Sequence, residues 1–132
     1  MNFVRVKQLV GFGDYAEDSS LPHSLIAAAS VNPTLVKDSQ GIITGLIVIN
    51  VSAAVKYLKL YDQNVAPVGG QAAAPVRRIP IPASTTGAGV AVPIITPWKF
   101  RRGIAYTITG GQADSDATAL AAGDVVLSME YV

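Results

Sequence analysis

The chain has 132 residues, a formal net charge of +1 and no cysteine. Near-neutrality removes the strong field that draws in nucleic acid or a charged membrane, and the lack of thiols excludes disulfides, thiolate metal sites and a cysteine nucleophile. Charged residues make up 14% of the sequence and apolar residues 50%, where an average soluble domain carries roughly 25% charged residues. The length suits one domain. So few charges predict that part of the surface is buried against other chains, with a neutral Ser, Thr and Gly surface as the other solution.

The first residues read differently from the rest. FVRVKQLV places Val4, Val6 and Val10 on one strand parity with Gln8, and GFGDYAEDSSLP is an irregular acidic connection. Residues 1–20 are therefore expected to form either an extended arm or a first edge strand. Residues 1–15 lack the continuous apolar core of a secretory signal. From 21 to 132 the pattern is β, and this stretch is expected to be the folded domain. SLIAAASV (24–31) is apolar but alanine-rich, so helix and strand compete until Asn32-Pro33 breaks either. GIITGLIVINV (41–51) is apolar at both parities and predicts a central strand buried on both faces. The apolar run 41–55 is shorter than the roughly 20 residues that cross a bilayer. VKYLKLYD (55–62) predicts a strand with one wetter face, its lysine stems lying over apolar surface.

NVAPVGGQAAAPV (64–76) reads as a loop. RRIPIP (77–82) sets Ile79 and Ile81 against Pro80 and Pro82, and VAVPII (90–95) sets Val90, Val92 and Ile94 against Pro93. Proline cannot donate a ladder hydrogen bond, so both predict edge strands or extended segments. STTGAG (84–89) is a turn, and TPWKFRRG (96–103) a loop with bulky and basic side chains. In GIAYTIT, Ile104, Tyr106 and Ile108 oppose Ala105, Thr107 and Thr109. In VVLSMEYV, Val125, Leu127, Met129 and Tyr131 oppose Val126, Ser128, Glu130 and Val132. Such alternation marks strands with one face on a core. Short strands between turn signals, without an amphipathic helix, give the fold class as all-β, a sandwich or barrel.

Few residues offer chemistry. Asp114 and Asp116 alternate in a loop, as calcium ligands can, but the glycine and glutamate of an EF-hand loop are missing. Aspartates also cap turns for local reasons. His23 is the single histidine, which rules out multi-histidine metal sites. No nucleophile elbow accompanies it, so a surface histidine is the ordinary reading. The nine acids, Asp14, Glu17, Asp18, Asp38, Asp62, Asp114, Asp116, Asp124 and Glu130, cannot be paired across a cleft from sequence. PVGGQ (67–71) and TGAGVAV (86–92) lack the lysine and following helix of a phosphate loop and read as turns. The basic groups cluster as Arg77, Arg78 and as WKFRR, with Trp98, Lys99, Phe100, Arg101 and Arg102. Interleaved aromatics and cations suit single-stranded nucleic acid, yet the chain lacks a basic excess. Trp and Arg are also enriched in protein hot spots. These seven residues are the candidate partner-binding set; no catalytic, cofactor or metal residue is assigned.

The stretches SAAVKYLKLYDQNVAPVGG, RRIPIPAS, GVAVPI and GIAYTITGGQADSDATALAAGDVVLSMEYV follow a particular order. A strand ending in KLYD precedes a proline-rich edge, a GIAY strand, an ADSD loop, AGDV and a last strand. In this, the chain from about residue 53 onward resembles a family of small tailed-phage virion proteins. The resemblance implies a jelly-roll-like antiparallel β-sandwich, to which residues 1–20 would add an extended N-terminal arm. It implies a capsid cement or decoration protein, made in the host cytoplasm and carried on the phage head. There a homotrimer would clamp the major capsid protein, with no cofactor, no catalysis, and no nucleic acid or membrane partner. A tail or baseplate part stays open, including a module that binds host glycans with Trp98, Tyr15, Tyr57 or Tyr61 as platform. A hydrolase using Asp114, Asp116 or His23 is the third class.

Overall fold

The computed structural model describes residues 20–84, 90–94 and 97–132, the backbone alone at 90–94. The expected arm or edge strand over 1–20 therefore lies, but for Ser20, outside the described residues, as do Tyr15 and the body of the turn at 84–89. Among the described residues nine strands form: β1 (Leu21–Ile26), β2 (Thr34–Lys37), β3 (Gly41–Asn50), β4 (Lys56–Asp62), β5 (Arg77–Ile81), β6 (Val90–Ile94), β7 (Trp98–Phe100), β8 (Ile104–Thr109) and β9 (Val125–Tyr131).

All pairings are antiparallel. Sheet A runs β1-β9-β3-β6, with β7 also on β3; sheet B runs β2-β8-β4-β5. β6 pairs with Leu46–Asn50 of β3 and β7 with Gly41–Ile43. β9 holds the other side of β3, so β6 and β7 act as one interrupted edge strand. Counted so, the sandwich has eight strands in two four-stranded sheets. The chain crosses between the sheets after β1, β2, β3, β5, β7 and β8, the connectivity of a double-sheet jelly roll. The sequence expectation of an all-β, jelly-roll-like antiparallel sandwich is met.

The core lies between the sheets. Ile43, Leu46, Val48, Leu127 and Met129 of sheet A meet Leu58, Leu60, Ile81, Ile104, Tyr106 and Ile108 of sheet B. Each such aliphatic side chain contributes about 1.5–3 kcal/mol on burial. The inward parities of β8 and β9 are those the sequence alternation gives. The proline-bearing strands β5 and β6 are edges, as the missing donors require. Alanine-rich 24–31 resolves as the end of β1 and a loop. There Asn32 takes a positive φ of 52°. Its side chain accepts from Ala28 N and donates to the Ala28 and Ser30 carbonyls, local bonds that let asparagine hold this conformation.

Three expectations change. β2 and β7 were not anticipated: TLVK is too short for a period to show, and WKF reads as part of a loop. β3 is central but not buried on both faces, because Thr44 and Ile47 point to solvent, Ile47 at 46% exposure. β4 has no wetter face at its centre, because Lys59 and Tyr61 are as buried as Leu58 and Leu60. The ADSD stretch is a loop, as expected, and joins the last two strands by carrying the chain from β8 in sheet B to β9 in sheet A.

Candidate functional site

The outer face of sheet B is roofed. Lys59, Tyr61, Ala105, Thr107 and Thr109 point away from the core, yet all are buried. The connections 63–76 and 110–124 provide the cover. A Cβ on Gly69 would lie 3.1 Å from Val31 and 3.3 Å from Ala117, and one on Gly70 only 2.9 Å from the Ser115 carbonyl. Gly70 also holds a positive φ of 74°, so side chains are unwelcome there on both counts. Lys59 Nζ donates to the Ala113 carbonyl at 2.5 Å. Burial lowers its pKa, while the carboxylates of Asp116 and Asp114 pull it upward. Beside it, Thr107 Oγ1 is buried without a hydrogen-bond partner among the described residues.

The ADSD aspartates divide the work. Asp116 accepts from Gly111 N at 2.9 Å, Thr118 N at 3.0 Å and Thr118 Oγ1 at 2.9 Å. Desolvation would raise its pKa, but these bonds and nearby Lys59 hold it below the usual value. It folds the loop on itself, the local role aspartate plays in turns. Asp124 accepts from Ala121 N at 3.0 Å and sits 3.5 Å from Lys56 Nζ. Asp114 instead reaches β5, where Arg78 donates to it twice, from Nε at 2.6 Å and Nη2 at 2.7 Å. That hydrogen-bonded guanidinium lowers the carboxyl pKa. Next to the pair, Tyr57, Pro80, Gln112 and Ala113 complete a cleft of about 500 Å³.

Among the described residues, no comparable cover lies over the outer face of sheet A. Register pairs Ile26 with Val126 and Val126 with Ile49, making an apolar row across three strands. Ile47 lies in the neighbouring row, opposite Ser128 and through it Ser24. Ile26 is 72% exposed. Val51 and Val55 extend the apolar surface toward the β3–β4 turn.

The seven candidate partner residues do not form one patch. Arg77 stacks over the Trp98 ring, its guanidinium carbon 4.9 Å from the ring centroid, joining the edges of the two sheets. Lys99 is exposed on β7, with Arg101 and Arg102 exposed just after it. Phe100 lies in the core at 1% exposure and has no surface to offer. Its parity opposite Lys99 on a strand explains this, and only recognition of β7 would have revealed it. Arg78 is committed to Asp114 on the other side. The backbone of 101–103 is fixed by Asp62, which accepts from Arg101 N, Arg102 N and Gly103 N. Burial pulls that carboxyl's pKa up, and the three N–H groups outweigh it and bring it down.

His23 is not a free surface histidine. Its Nε2 lies 2.8 Å from Tyr106 Oη, and the rings meet edge to face. It ties β1 of sheet A to β8 of sheet B. Burial lowers the His23 pKa and raises that of Tyr106 to about 12. His23, Asp114 and Asp116, the residues of the hydrolase reading, are thus held by separate partners. Among the described residues no three of His, Asp and Glu stand close enough to share a metal ion. Sequence reasoning missed the cleft residues Gln112 and Pro80 and the apolar row. The row was hidden because 41–51 is apolar at both parities.

No known family model, curated protein or solved structure matches this chain.

Proposed function

We propose that this chain is a structural subunit that acts by association: a cement or decoration protein of a tailed-phage head, set as a homotrimer on the major capsid protein. The observation that carries the reading is the apolar row Ile26, Val126 and Ile49 on the outer face of sheet A, with Ile47 beside it. Sheet B has its outer face roofed by the chain's own loops, and among the described residues sheet A has no such roof. In a sequence only 14% charged, the remaining apolar face is the natural place for a neighbouring subunit. The jelly roll and the phage-protein resemblance of residues 53–132 support the same class. On a shell, each copy would cover a seam between capsomers, and symmetric repetition would add many modest contacts together.

Light scattering on the purified chain tests this. The expected mass is that of three 13.7 kDa chains. Ile26→Asp and Ile47→Lys, both at exposed positions, are expected to give monomers with unchanged β-sheet circular dichroism. A wild-type monomer, or a trimer that survives both substitutions, would remove the sheet A face from the model. Co-sedimentation with assembled heads of the encoding phage then tests the capsid contact. A tail or baseplate subunit would instead appear with the tail fraction.

A further inference from the structure

We propose that the cleft beside Tyr57 is a binding site for a neutral sugar. Tyr57 supplies the stacking face, and the Arg78–Asp114 pair supplies adjacent donor and acceptor groups for ring hydroxyls. The inference goes beyond the structural role and does not depend on the oligomeric state. Three observations carry it. The first is the construction of the wall. An exposed ion pair adds little to stability, with Arg78 and Asp114 at 50% and 41% side-chain exposure. Yet the loop that presents Asp114 is held in detail: the Ala113 carbonyl accepts from buried Lys59 and from Asp116 N, and Asp116 fastens the loop at Gly111 and Thr118. Asp114 is the aspartate of this loop that reaches outward rather than folding the loop itself.

The second observation is the floor. Register places Tyr57 opposite Pro80 on the outer face of sheet B, beyond the end of the loop roof. A tyrosine ring next to a proline is an apolar surface for the C–H face of a pyranose. Of the other aromatics expected as sugar platforms, Tyr61 is 2% exposed, Trp98 carries Arg77, and Tyr15 lies outside the described residues. The third observation is charge. An anionic ligand would meet Asp114 and a cationic one Arg78. A neutral polyol satisfies both, donating hydroxyl protons to the carboxylate and accepting from the guanidinium, with the exposed Gln112 amide able to do either. A volume of about 500 Å³ falls within the range of small-molecule sites.

The test uses the full chain and four probes: free glucose, galactose, mannose and N-acetylglucosamine, each followed by saturation-transfer NMR. At least one is expected to bind with a Kd on the order of millimolar. Tyr57→Ala and Asp114→Asn are each expected to weaken it by about tenfold or more, while Tyr57→Phe, which keeps the ring, retains it. Should Tyr57→Ala fail to fold by circular dichroism, Gln112→Ala at its exposed loop position reads the same cleft and is expected to weaken binding. No transfer to any of the four sugars would overturn the proposal. So would binding that folded Asp114→Asn and Gln112→Ala leave unchanged.

Discussion

Two side chains at the seam of the sandwich show how single residues set its stability. Burial lowers the His23 pKa below the ordinary histidine value of 6.5 and so favours the neutral ring in the fold. The unfolded chain therefore binds the proton more readily, and stability falls as pH drops from 6.5 toward the lowered folded value. Above 6.5 this contribution is complete. Tyr106, with its pKa raised to about 12, stays protonated throughout that window. Asp62, Asp114 and Asp116 have pKa values below 3.8, so their contribution persists until more acidic pH. The melting temperature is expected to fall between about pH 7.5 and about pH 5.5, and His23→Gln to flatten that slope; an equal slope in both proteins would contradict the assignment. Asn50 works through hydrogen bonds instead. Fully buried, it donates to the carbonyls of Ala54 and Ile81 and accepts from Ser52 N and Ser52 Oγ. It thereby shapes the β3–β4 turn and ties β3 to β5. Asn50→Ala removes all four bonds, while Ser52 Oγ and the Ala54 carbonyl keep their bond to each other, and is expected to cost about 2–4 kcal/mol in urea unfolding.

At the level of elements, contacts between chain segments decide what local pattern leaves open. Gly103 lies where the β7–β8 connection passes the ends of β2 and β4. A Cβ there would stand 2.5 Å from the Gln63 carbonyl oxygen and 2.6 Å from that of Lys37. Both obstacles are backbone, so neither can swing aside. Gly103→Ala is expected to destabilise by about 2–4 kcal/mol, read as a lower urea midpoint with an unchanged slope. The same dependence on distant partners explains what the sequence could reveal. β8 and β9 were legible because one parity of each meets the core and their alternation is regular. The edges β5 and β6 were legible because proline cannot sit in a central ladder. β3 was misleading: its outward Ile47 and Ile49 resemble a doubly buried strand, and no local signal says that Ile47 is left 46% exposed. β4 misled in the opposite sense. Lys59 suggests solvent, but the connection 63–76 and the ADSD loop, from up to 54 residues away at Ala113, close over it. The Arg78–Asp114 pair spans 36 residues and three intervening strands, so the cleft had no sequence signature.

For the whole molecule, two surfaces compete as the place where copies meet, and they answer salt differently. One is the apolar outer face of sheet A. The other is the basic rim, where Arg77, Lys99, Arg101 and Arg102 are all exposed while the net charge is only +1. Contacts between exposed charges fade as the screening length shrinks from about 10 Å at 0.1 M salt to about 3 Å at 1 M. Apolar contacts do not fade, and sulfate strengthens them by being excluded from the surface. Association through sheet A is therefore expected to change by less than about threefold in Kd between 0.1 and 1 M sodium chloride and to tighten in sodium sulfate. Sedimentation velocity across the two salts measures this directly. Arg101→Ala and Arg102→Ala should then leave the oligomer intact, whereas Ile26→Asp should dissolve it. A Kd that rises tenfold or more with sodium chloride and follows the arginines would place the contact on the rim. It would then leave the apolar face of sheet A to a partner other than this chain.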